Sequence, residues 1–373
     1  MRRSYVYKVK MPPSAERRAG RMLDLCRELY NAALEHRRHV YHRTGQSVSK
    51  YAQMAELKDV KKVRPEYADI DAQVLEGVLK RLGAAFDAFF RRVRQGGPAG
   101  YPRFKGRDRY RSIVFRQTGW KLDGRRLTLR GIGTLRLFLS RPIEGAIKNL
   151  TLRRDSCGDW FVSFSCDDVP AKALPETGAT IGLDLGITNF IATSDGETID
   201  NPRPFVAAEH RLAIAQRKRS KQERGGARYR QQSRHVAKLH RKVARIRRDF
   251  HFKTAVDLVR RYDVIAVEDL NVVGLARMRL SKHVNDAGWG QFIEILRAKA
   301  EEAGRTVVAV NPNGTSQACS GCGCEVRKRL GVRTHGCPDC GLVLDRDVNA
   351  ARNILTRAGA PLTASRPASR AAA

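Results

Sequence analysis

Two cysteine pairs near the C-terminal end of the sequence have the spacing of a metal site. Cys319 and Cys322 form one Cys-x-x-Cys pair, and Cys337 and Cys340 form the other, with fourteen residues between the pairs. Thiolates in this arrangement prefer a soft tetrahedral ion, and four of them leave no open position for water or a substrate. We therefore predict a structural Zn²⁺ in a zinc ribbon. Disulfides are the alternative pairing, and Cys324 is a competing ligand.

Three acidic residues stand beside apolar runs that are typical of buried strands or of a helix start. Asp184 lies in the middle of the predicted strand in TIGLDLGI, Glu268 ends the run VIAVE, and Asp347 opens the helix-like run after the cysteines. A buried carboxylate is costly unless it is paired, protonated or bound to a cation. Its oxygens suit a hard cation such as Mg²⁺. Acids satisfied by backbone amides, or acting as helix and turn caps, are the alternatives.

The order of these elements indicates how the acids could meet. An acid in a first strand, a hairpin, long helices, an acid after a later strand and an acid opening a final helix are typical of a ribonuclease-H-like α/β domain. Two-metal phosphodiester hydrolysis needs such carboxylates, because their charge collects the cations that activate water and stabilise the leaving oxygen. No single spacing in the sequence proves that the three acids converge.

The charge of the chain indicates a polyanionic partner. Lys and Arg number 71 against 38 Asp and Glu, which leaves a net charge of +33 spread along the chain. Nucleic acid is the usual partner for such an excess. A membrane is the competing partner, but there is no apolar run of eighteen residues and no hydrophobic signal segment. We expect a cytoplasmic, nucleoid-associated prokaryotic protein with no membrane partner.

Periodic patterns divide the chain into segments. Residues 4–10 alternate apolar with polar side chains and predict a strand, whereas apolar residues within 22–33 and 75–93 recur at intervals of three and four and predict helices. Glycines at 96–100 mark a boundary. Short alternating runs between 127 and 166 predict a small antiparallel β domain.

Two basic segments are candidates for nucleic-acid contacts. Residues 101–120 interleave aromatic side chains with arginine and lysine, and residues 211–250 carry fifteen Lys and Arg against two acids. Aromatic faces can stack on bases while cations neutralise phosphates. An exposed basic loop with a few core aromatics is the alternative for the first segment, and a solvated face for the second. The candidate contacts are Tyr101, Arg103, Phe104 and Lys105 in the first segment and Arg217, Lys218, Arg241 and Lys242 in the second.

Several segments taken together resemble the TnpB family. They are IGLDLGITNF around Asp184, VIAVEDLNV around Glu268, the DAGWGQF segment, and the cysteine region ending CGLVLDRDVNAARNIL. YPRFK, at residues 101–105, is similar to a further stretch of the family. TnpB proteins are transposon-encoded, RNA-guided DNA endonucleases similar to small type V CRISPR effectors. The resemblance covers nearly the whole chain and is weakest in residues 13–98.

The resemblance implies a function and a set of site residues. Asp184, Glu268 and Asp347 would be the catalytic ligands of one or two Mg²⁺ ions, with Asp345 as the rival for the third place and otherwise a helix cap or a group supporting the ligands. A guide RNA made from the element, an omega RNA, would pair with double-stranded target DNA next to a short transposon-adjacent motif. The protein would then cleave that DNA, as a monomer.

The resemblance also implies a fold class: a multidomain α/β protein with an RNase H-like (RuvC) nuclease domain. The implied domains are a β-barrel-like wedge at 1–12 and 99–170, with an α-helical recognition lobe inserted at 13–98, and the RuvC-like domain at 171–315 and 343–358. A zinc ribbon that binds target nucleic acid would be inserted at 316–342, and a disordered tail would follow at 359–373.

Other functions fit part of the pattern. A guide-RNA-dependent repressor that binds DNA without cutting it would share the fold and the charge, but its acids would be lost, and all three are present here. A DNA transposase or a junction resolvase could use similar carboxylates. Neither needs a basic wedge, a helical lobe and a zinc ribbon in this order.

Overall fold

The fold is taken from a computed structural model, which describes residues 1–107, 109–275, 281–329 and 331–359. Apart from Gly359, the predicted disordered tail lies outside the described residues. The chain divides into two compact units, Met1–Pro170 and Ala171–Ala373. Among the described residues, no helix is long and apolar enough to cross a membrane.

The first unit combines helices with strands that follow them in the chain. Its strands are β1 (Arg3–Lys10), β2 (Ser112–Phe115), β3 (Trp120–Asp123), β4 (Arg126–Leu129), β5 (Gly133–Leu137), β6 (Ala146–Arg154) and β7 (Trp160–Asp167). Its helices are α1 (Pro13–Thr44), α2 (Lys50–Ala55), α3 (Leu57–Val63) and α4 (Ala72–Arg94), with a short 3-10 helix at Pro65–Tyr67. The strand predicted at 4–10 and both predicted helical stripes are confirmed.

The seven strands form one antiparallel sheet in the order β2-β6-β7-β1-β5-β4-β3. β1 joins its two halves, because Arg3–Lys8 pairs with β7 while Val9 and Lys10 pair with β5. The two end strands, β2 and β3, are joined by a short connection in which Trp120 Nε1 donates to the Arg116 carbonyl at 2.7 Å. The sheet is therefore nearly closed, and the predicted antiparallel β structure is confirmed.

A single hydrophobic core serves the strands and helices of the first unit. Buried side chains of the strands, such as Tyr5, Phe115 and Phe164, belong to the same cluster as Leu34 of α1 and Leu79 of α4. The pattern has a simple cause, since alternate residues of the strands and the three-and-four stripe of each helix present one apolar face. The segments predicted as wedge and recognition lobe thus share one core.

The second unit is a mixed α/β structure. Its strands are β8 (Thr180–Leu185), β9 (Asn189–Thr193), β10 (Thr198–Asp200), β11 (Val264–Glu268), β12 (Thr306–Val310), β13 (Thr334–Gly336) and β14 (Val343–Asp345). Its helices are α5 (Pro204–Ser220), α6 (Ala227–Arg261), α7 (Val272–Leu275), α8 (Ser281–Ala287), α9 (Trp289–Ala303) and α10 (Arg346–Arg357).

Five of these strands form the central sheet, in the order β10-β9-β8-β11-β12. β8, β11 and β12 run parallel, whereas β9 and β10 are antiparallel additions. Ile265 and Val267 of β11 lie in one core cluster and Ala266 lies in another, and all three are fully buried, so both faces of this strand are covered, as its continuous apolar sequence predicts. β13 and β14 form a separate hairpin.

The DAGWGQF segment contributes a buried acid to this unit. The Asp286 carboxylate accepts hydrogen bonds from the backbone N–H groups of Phe205 and Val206, at 2.9–3.1 Å, and pairs with Arg247 at 3.1 Å. These N–H groups belong to the first turn of α5, which needs acceptors there. Asp286 therefore ties α5, α6 and α8 together.

Candidate metal centres and nucleic-acid surface

The register of two parallel strands places Asp184 beside Glu268. Leu183 of β8 pairs with Val267 of β11, and each acid is the next residue on its strand. Asp184 is the penultimate residue of β8, which corrects the expectation that it lies in the middle of its strand. Acids at the carboxyl ends of neighbouring parallel strands share one edge of the sheet.

Helix α10 brings the third acid to the same region. Asp345 is its N-cap and accepts hydrogen bonds from the backbone N–H of Asp347 at 2.8 Å and of Val348 at 3.3 Å. The prediction that Asp345 is a cap is confirmed. Asp347 is the acid of the first turn, where the N–H groups of a helix favour negative charge.

One glycine allows the helix to approach the strand that carries Asp184. A Cβ placed on Gly182 would lie 2.0 Å from the Ala351 carbonyl oxygen of α10, so any larger residue would force the helix away. Arg352 of the same helix donates to the carbonyl of Ser194 at 3.2 Å. Close packing of α10 on β8 therefore fixes the position of the Asp347 turn.

The three acids influence one another electrostatically. Burial above all, and then the negative charges of Glu268 and Asp347, raise the pKa of Asp184 to about 8, against opposing contributions from Arg346 and Arg333. Burial also raises the pKa of Glu268. Within the described part of the chain, the Asp184 side chain has no hydrogen bond or ion pair. Negative charge left without a partner suits a bound cation.

The other two acids have partners of their own. Thr315 Oγ1 donates to Glu268 Oε1 at 2.6 Å, and Arg333 Nη2 pairs with Asp347 Oδ2 at 2.5 Å. The ligand atoms of the three acids do not all lie within 4.8 Å of one another, unlike those of the cysteines. The three acids therefore lie around a common region, but their carboxylate oxygens are not in mutual contact.

The four predicted zinc cysteines come together. The Sγ atoms of Cys319 and Cys340 lie 3.6 Å apart, and those of Cys322 and Cys337 lie 3.5 Å apart. All four sulfurs lie within 4.8 Å of one another. Sulfurs at the corners of a tetrahedron around Zn²⁺ are about 3.8 Å apart, given a Zn–S bond of about 2.3 Å. The cluster could therefore hold a metal ion such as zinc.

A buried histidine supports the same interpretation. His335 of β13 is fully buried, its Nδ1 contacts Lys328 Nζ, and its Nε2 has no partner among the residues the structure describes. Burial raises the pKa of the Cys319 thiol, but hydrogen bonds with the Cys322 backbone and then with the His335 side chain lower it to about 7, so His335 lies next to that thiol. An N–H beside a sulfur stabilises the thiolate that a zinc ion requires.

Two asparagines bind the cysteine region to helix α10. Asn349 accepts from the Ser320 N–H at 2.9 Å and donates to the Ala318 carbonyl at 2.8 Å. Asn353 donates to the carbonyls of Ala318 and Thr315 at 2.7 and 2.8 Å. The two candidate metal centres are thus joined through one helix.

Sequence reasoning missed four of these supporting residues. They are Thr315, Arg333, Asn349 and Asn353. The two asparagines had a signal, since polar side chains four residues apart on an apolar helix face are costly to bury without partners. Thr315 and Arg333 had none, because their partners lie in elements that only the fold brings close.

In the first unit, two of the candidate contact residues in the segment 101–105 are aromatic and partly exposed. Tyr101 packs edge-on against Phe86 and Phe89, with ring centroids 5.4 and 5.3 Å apart, and is 43% exposed. Phe104 is 45% exposed, and the Arg38 guanidinium lies 5.4 Å from its ring centroid. Both aromatic rings therefore keep an accessible face.

An asparagine holds the backbone of this segment. Asn31 of α1 accepts from the Lys105 N–H at 2.8 Å and donates to the Lys105 carbonyl at 3.0 Å. Lys105 Nζ lies 5.5 Å from the Tyr30 ring centroid, and Arg103 is exposed. The segment is thus anchored through its backbone, which leaves the Arg103 side chain accessible.

The four basic candidates of the second unit lie on the helix pair α5 and α6. The predicted interruption near Gly225 and Gly226 is confirmed, since α5 ends at Ser220 and α6 begins at Ala227. Arg217, Lys218 and Lys242 are exposed, and Arg241 is half-buried. These positions suit contact with a phosphate backbone.

Two families match parts of the chain. Residues 163–279 match the family described as "Probable transposase" (OrfB of IS605), and residues 289–354 match the "Cas12f1-like, TNB domain". The two ranges contain all three acids and all four cysteines.

Relatives match most of the chain. A "Putative RNA-guided DNA endonuclease" of Streptomyces pristinaespiralis is 35% identical over 94% of this chain and 88% of its own length. The "Putative RNA-guided DNA endonuclease InsQ" of Escherichia coli (strain K12) is 30% identical over 97% of this chain and 94% of its own.

A solved structure shares the fold. The cryo-EM structure of the Cas12f1-sgRNA-target DNA complex has a TM-score of 0.57 with 15% identity, over 91% of this chain and 82% of that one. Because the two relatives match over nearly their full lengths, this chain belongs to the IS605 OrfB family, the TnpB family.

Proposed function

We propose that this protein is an RNA-guided DNA endonuclease of a transposon, which hydrolyses target DNA with Mg²⁺ held by Asp184, Glu268 and Asp347. The observation that carries the proposal is the convergence of these acids. Register brings Asp184 beside Glu268, the capped start of α10 carries Asp347, and burial together with the charges of these two acids raises the pKa of Asp184. The family matches and the names of the relatives support the same activity.

The chain's own residues prepare the site. Bound between the three carboxylates, Mg²⁺ would supply the charge that activates water and stabilises the leaving oxygen of the phosphodiester. Thr315 orients the Glu268 carboxylate through the 2.6 Å hydrogen bond. Arg333 pairs with Asp347 in the structure, so the Arg333 guanidinium would have to release this carboxylate for it to hold the ion, and would then be available to a phosphate.

The partners we propose are a guide RNA from the element and double-stranded target DNA. The net charge of +33, the exposed aromatic and basic side chains of 101–105 and the basic helix pair suit two polyanions. Sequence choice would then rest largely on base pairing, next to a short transposon-adjacent motif. The names of the Cas12f1 complex and of the endonuclease relatives support this pairing of partners.

The finer domain arrangement belongs to the same proposal. We assign 1–12 and 99–170 to a wedge, 13–98 to a recognition lobe, 171–315 with 343–358 to an RNase H-like (RuvC) domain, and 316–342 to a zinc ribbon. The nearly closed sheet, the mixed five-stranded sheet and the cysteine cluster support it. The zinc would be structural, because four thiolates leave no position for water.

The test uses the protein purified with its native transcript. The bound RNA is sequenced, and the complex is challenged with a target library whose flanks are randomised. We expect Mg²⁺-dependent cleavage beside one short motif. Asp184→Ala should abolish cleavage while leaving RNA binding nearly intact, and Asp200→Ala, at an exposed acid of β10, should cut normally. Guided cleavage by Asp184→Ala would overturn the assignment.

Other outcomes separate the rival functions. Guided DNA binding by the wild-type protein without any cleavage would identify a repressor. Cleavage that needs no RNA would identify a resolvase or a transposase. Either result would contradict the proposal.

A further inference from the structure

The cysteine region holds a fifth thiol that the four-ligand zinc site does not use. Cys324 Sγ lies 3.2 Å from Cys337 Sγ. This distance is shorter than the Sγ–Sγ distances of 3.6 Å between Cys319 and Cys340 and 3.5 Å between Cys322 and Cys337. Its placement follows from the turn. Cys319 N–H donates to the Cys324 carbonyl at 2.8 Å, and Gly323 has a φ of +82°, so the chain reverses and returns Cys324 to the cluster.

A carboxylate, that of Asp339, also lies close to this thiol. The ligand atoms of Cys322, Cys324 and Asp339 all lie within 4.8 Å of one another. Asp339 is an exposed residue of the turn between Cys337 and Cys340, and this turn brings its carboxylate close to Cys324. Two potential ligand groups thus meet, and they share Cys322.

We propose that this region binds two Zn²⁺ ions that share thiolates. The first ion takes Cys319, Cys322, Cys337 and Cys340, and the second takes Cys324, Asp339 and the same two inner sulfurs, those of Cys322 and Cys337. Cys322 and Cys337 are the natural bridges, because each contacts ligands of both groups.

Coordination and charge both balance in this arrangement. Zn²⁺ in structural sites is four-coordinate, and six ligands of which two are shared supply four to each ion. Five thiolates and one carboxylate around two ions leave a net charge of minus two, the same as four thiolates around one ion. The second ion therefore adds no net charge to the site, and it gives the partly exposed thiol of Cys324 a ligand role.

The test counts zinc in the full chain. The protein is purified with its RNA under reducing conditions, washed with a weak chelator, and measured by plasma mass spectrometry and by native mass spectrometry of the intact chain. We expect two zinc ions per wild-type chain and one in Cys324→Ser. Asp339→Asn should also hold one, which keeps the count informative if the serine variant folds poorly.

Matched variants locate the second ion. Asp184→Asn should keep two zinc ions, which excludes zinc bound among the carboxylates, and Cys157→Ser, at a thiol of the first unit, should also keep two. A chromogenic chelator should remove zinc from the wild type in two phases of equal size and from Cys324→Ser in one. One zinc in the fully reduced wild type, or two in Cys324→Ser, would overturn the proposal.

Discussion

The two candidate metal centres of the second unit are built in opposite ways. The cysteine ligands lie on two short turns, and their sulfurs already stand 3.5 and 3.6 Å apart in pairs. The carboxylates come from β8, β11 and α10, far apart in the sequence, and their oxygens are not gathered to the same degree. Short turns thus position the cysteine sulfurs, whereas sheet register and helix packing position the carboxylates.

This difference has an electrostatic cause. The cysteine sulfurs pack together without an ion, whereas burial and, after it, the charges of the neighbouring acids raise the pKa of Asp184, so that this carboxyl holds a proton when no cation is bound. The carboxylate centre therefore depends on a rigid scaffold, and the cysteine centre depends on its own ion. Changes to one centre should leave the other measurably intact.

The largest effect should follow from Cys337→Ser. Structural zinc contributes on the order of 10 kcal/mol to the folding of small zinc modules, and one lost ligand disrupts the site. We expect zinc content, measured by plasma mass spectrometry, to fall close to zero while most of the circular dichroism signal persists. Cys166→Ser, at a buried thiol of β7, should retain its zinc. Unchanged zinc in Cys337→Ser would point to another ligand set.

Gly182→Ala should damage the carboxylate scaffold alone. Its Cβ would meet the Ala351 carbonyl oxygen at 2.0 Å, so α10 must shift. We expect a loss of about 3 kcal/mol in the free energy of unfolding, measured by chemical denaturation, with zinc content unchanged. Gly77→Ala in α4 is the control, because a Cβ there meets open space and should stabilise by up to about 1 kcal/mol. Equal stability of the two variants would contradict close packing at Gly182.

A smaller effect should follow from Thr315→Val, which removes the hydrogen bond to Glu268. Groups that orient metal ligands are worth about 10–100-fold in metal affinity or activity. We expect a loss of that size in cleavage at limiting Mg²⁺, and partial recovery at high Mg²⁺. Thr315→Ser keeps the hydroxyl and should behave like the wild type. If the serine and valine variants cut alike, the hydrogen bond plays no part.

A further effect concerns stability and pH. The pKa of Asp184 rises from 3.8 to about 8 in the folded chain, so between these values the folded state holds a proton that the unfolded state has released. Stability of the Mg²⁺-free protein therefore falls as pH rises through this window. Asp184→Asn cannot ionise, and its melting temperature should exceed that of the wild type by a margin that grows towards pH 8.

Each kcal/mol corresponds to about 2–4 °C in a unit of this size, so the margin is measurable by thermal denaturation in Mg²⁺-free buffer. Added Mg²⁺ should stabilise the wild type and not the variant. A margin that does not change with pH would show that Asp184 is not desolvated.

Much of the fold follows from local patterns. The strand at 4–10, the helix stripes and the break at Gly225 and Gly226 could be predicted because each depends on neighbours in the sequence. The cap role of Asp345 was one of two roles that the family resemblance left open for it. Asp184 was predicted in the middle of its strand and is the penultimate residue of β8, since a strand's end depends on its pairing with β9 and β11 as well as on its own sequence.

The sequence by itself identified the cysteine cluster, because each Cys-x-x-Cys turn brings two sulfurs together within a few residues. It also identified three acidic residues as candidate metal ligands. Only the tertiary structure decided which groups surround them. Thr315 reaches Glu268 and Arg333 reaches Asp347 through packing of elements that no local pattern relates. The physical reason is that the partners and the pKa of a carboxylate depend on burial and on charges that the fold brings close. The positions of the two sulfurs in a Cys-x-x-Cys turn depend only on the backbone of that turn.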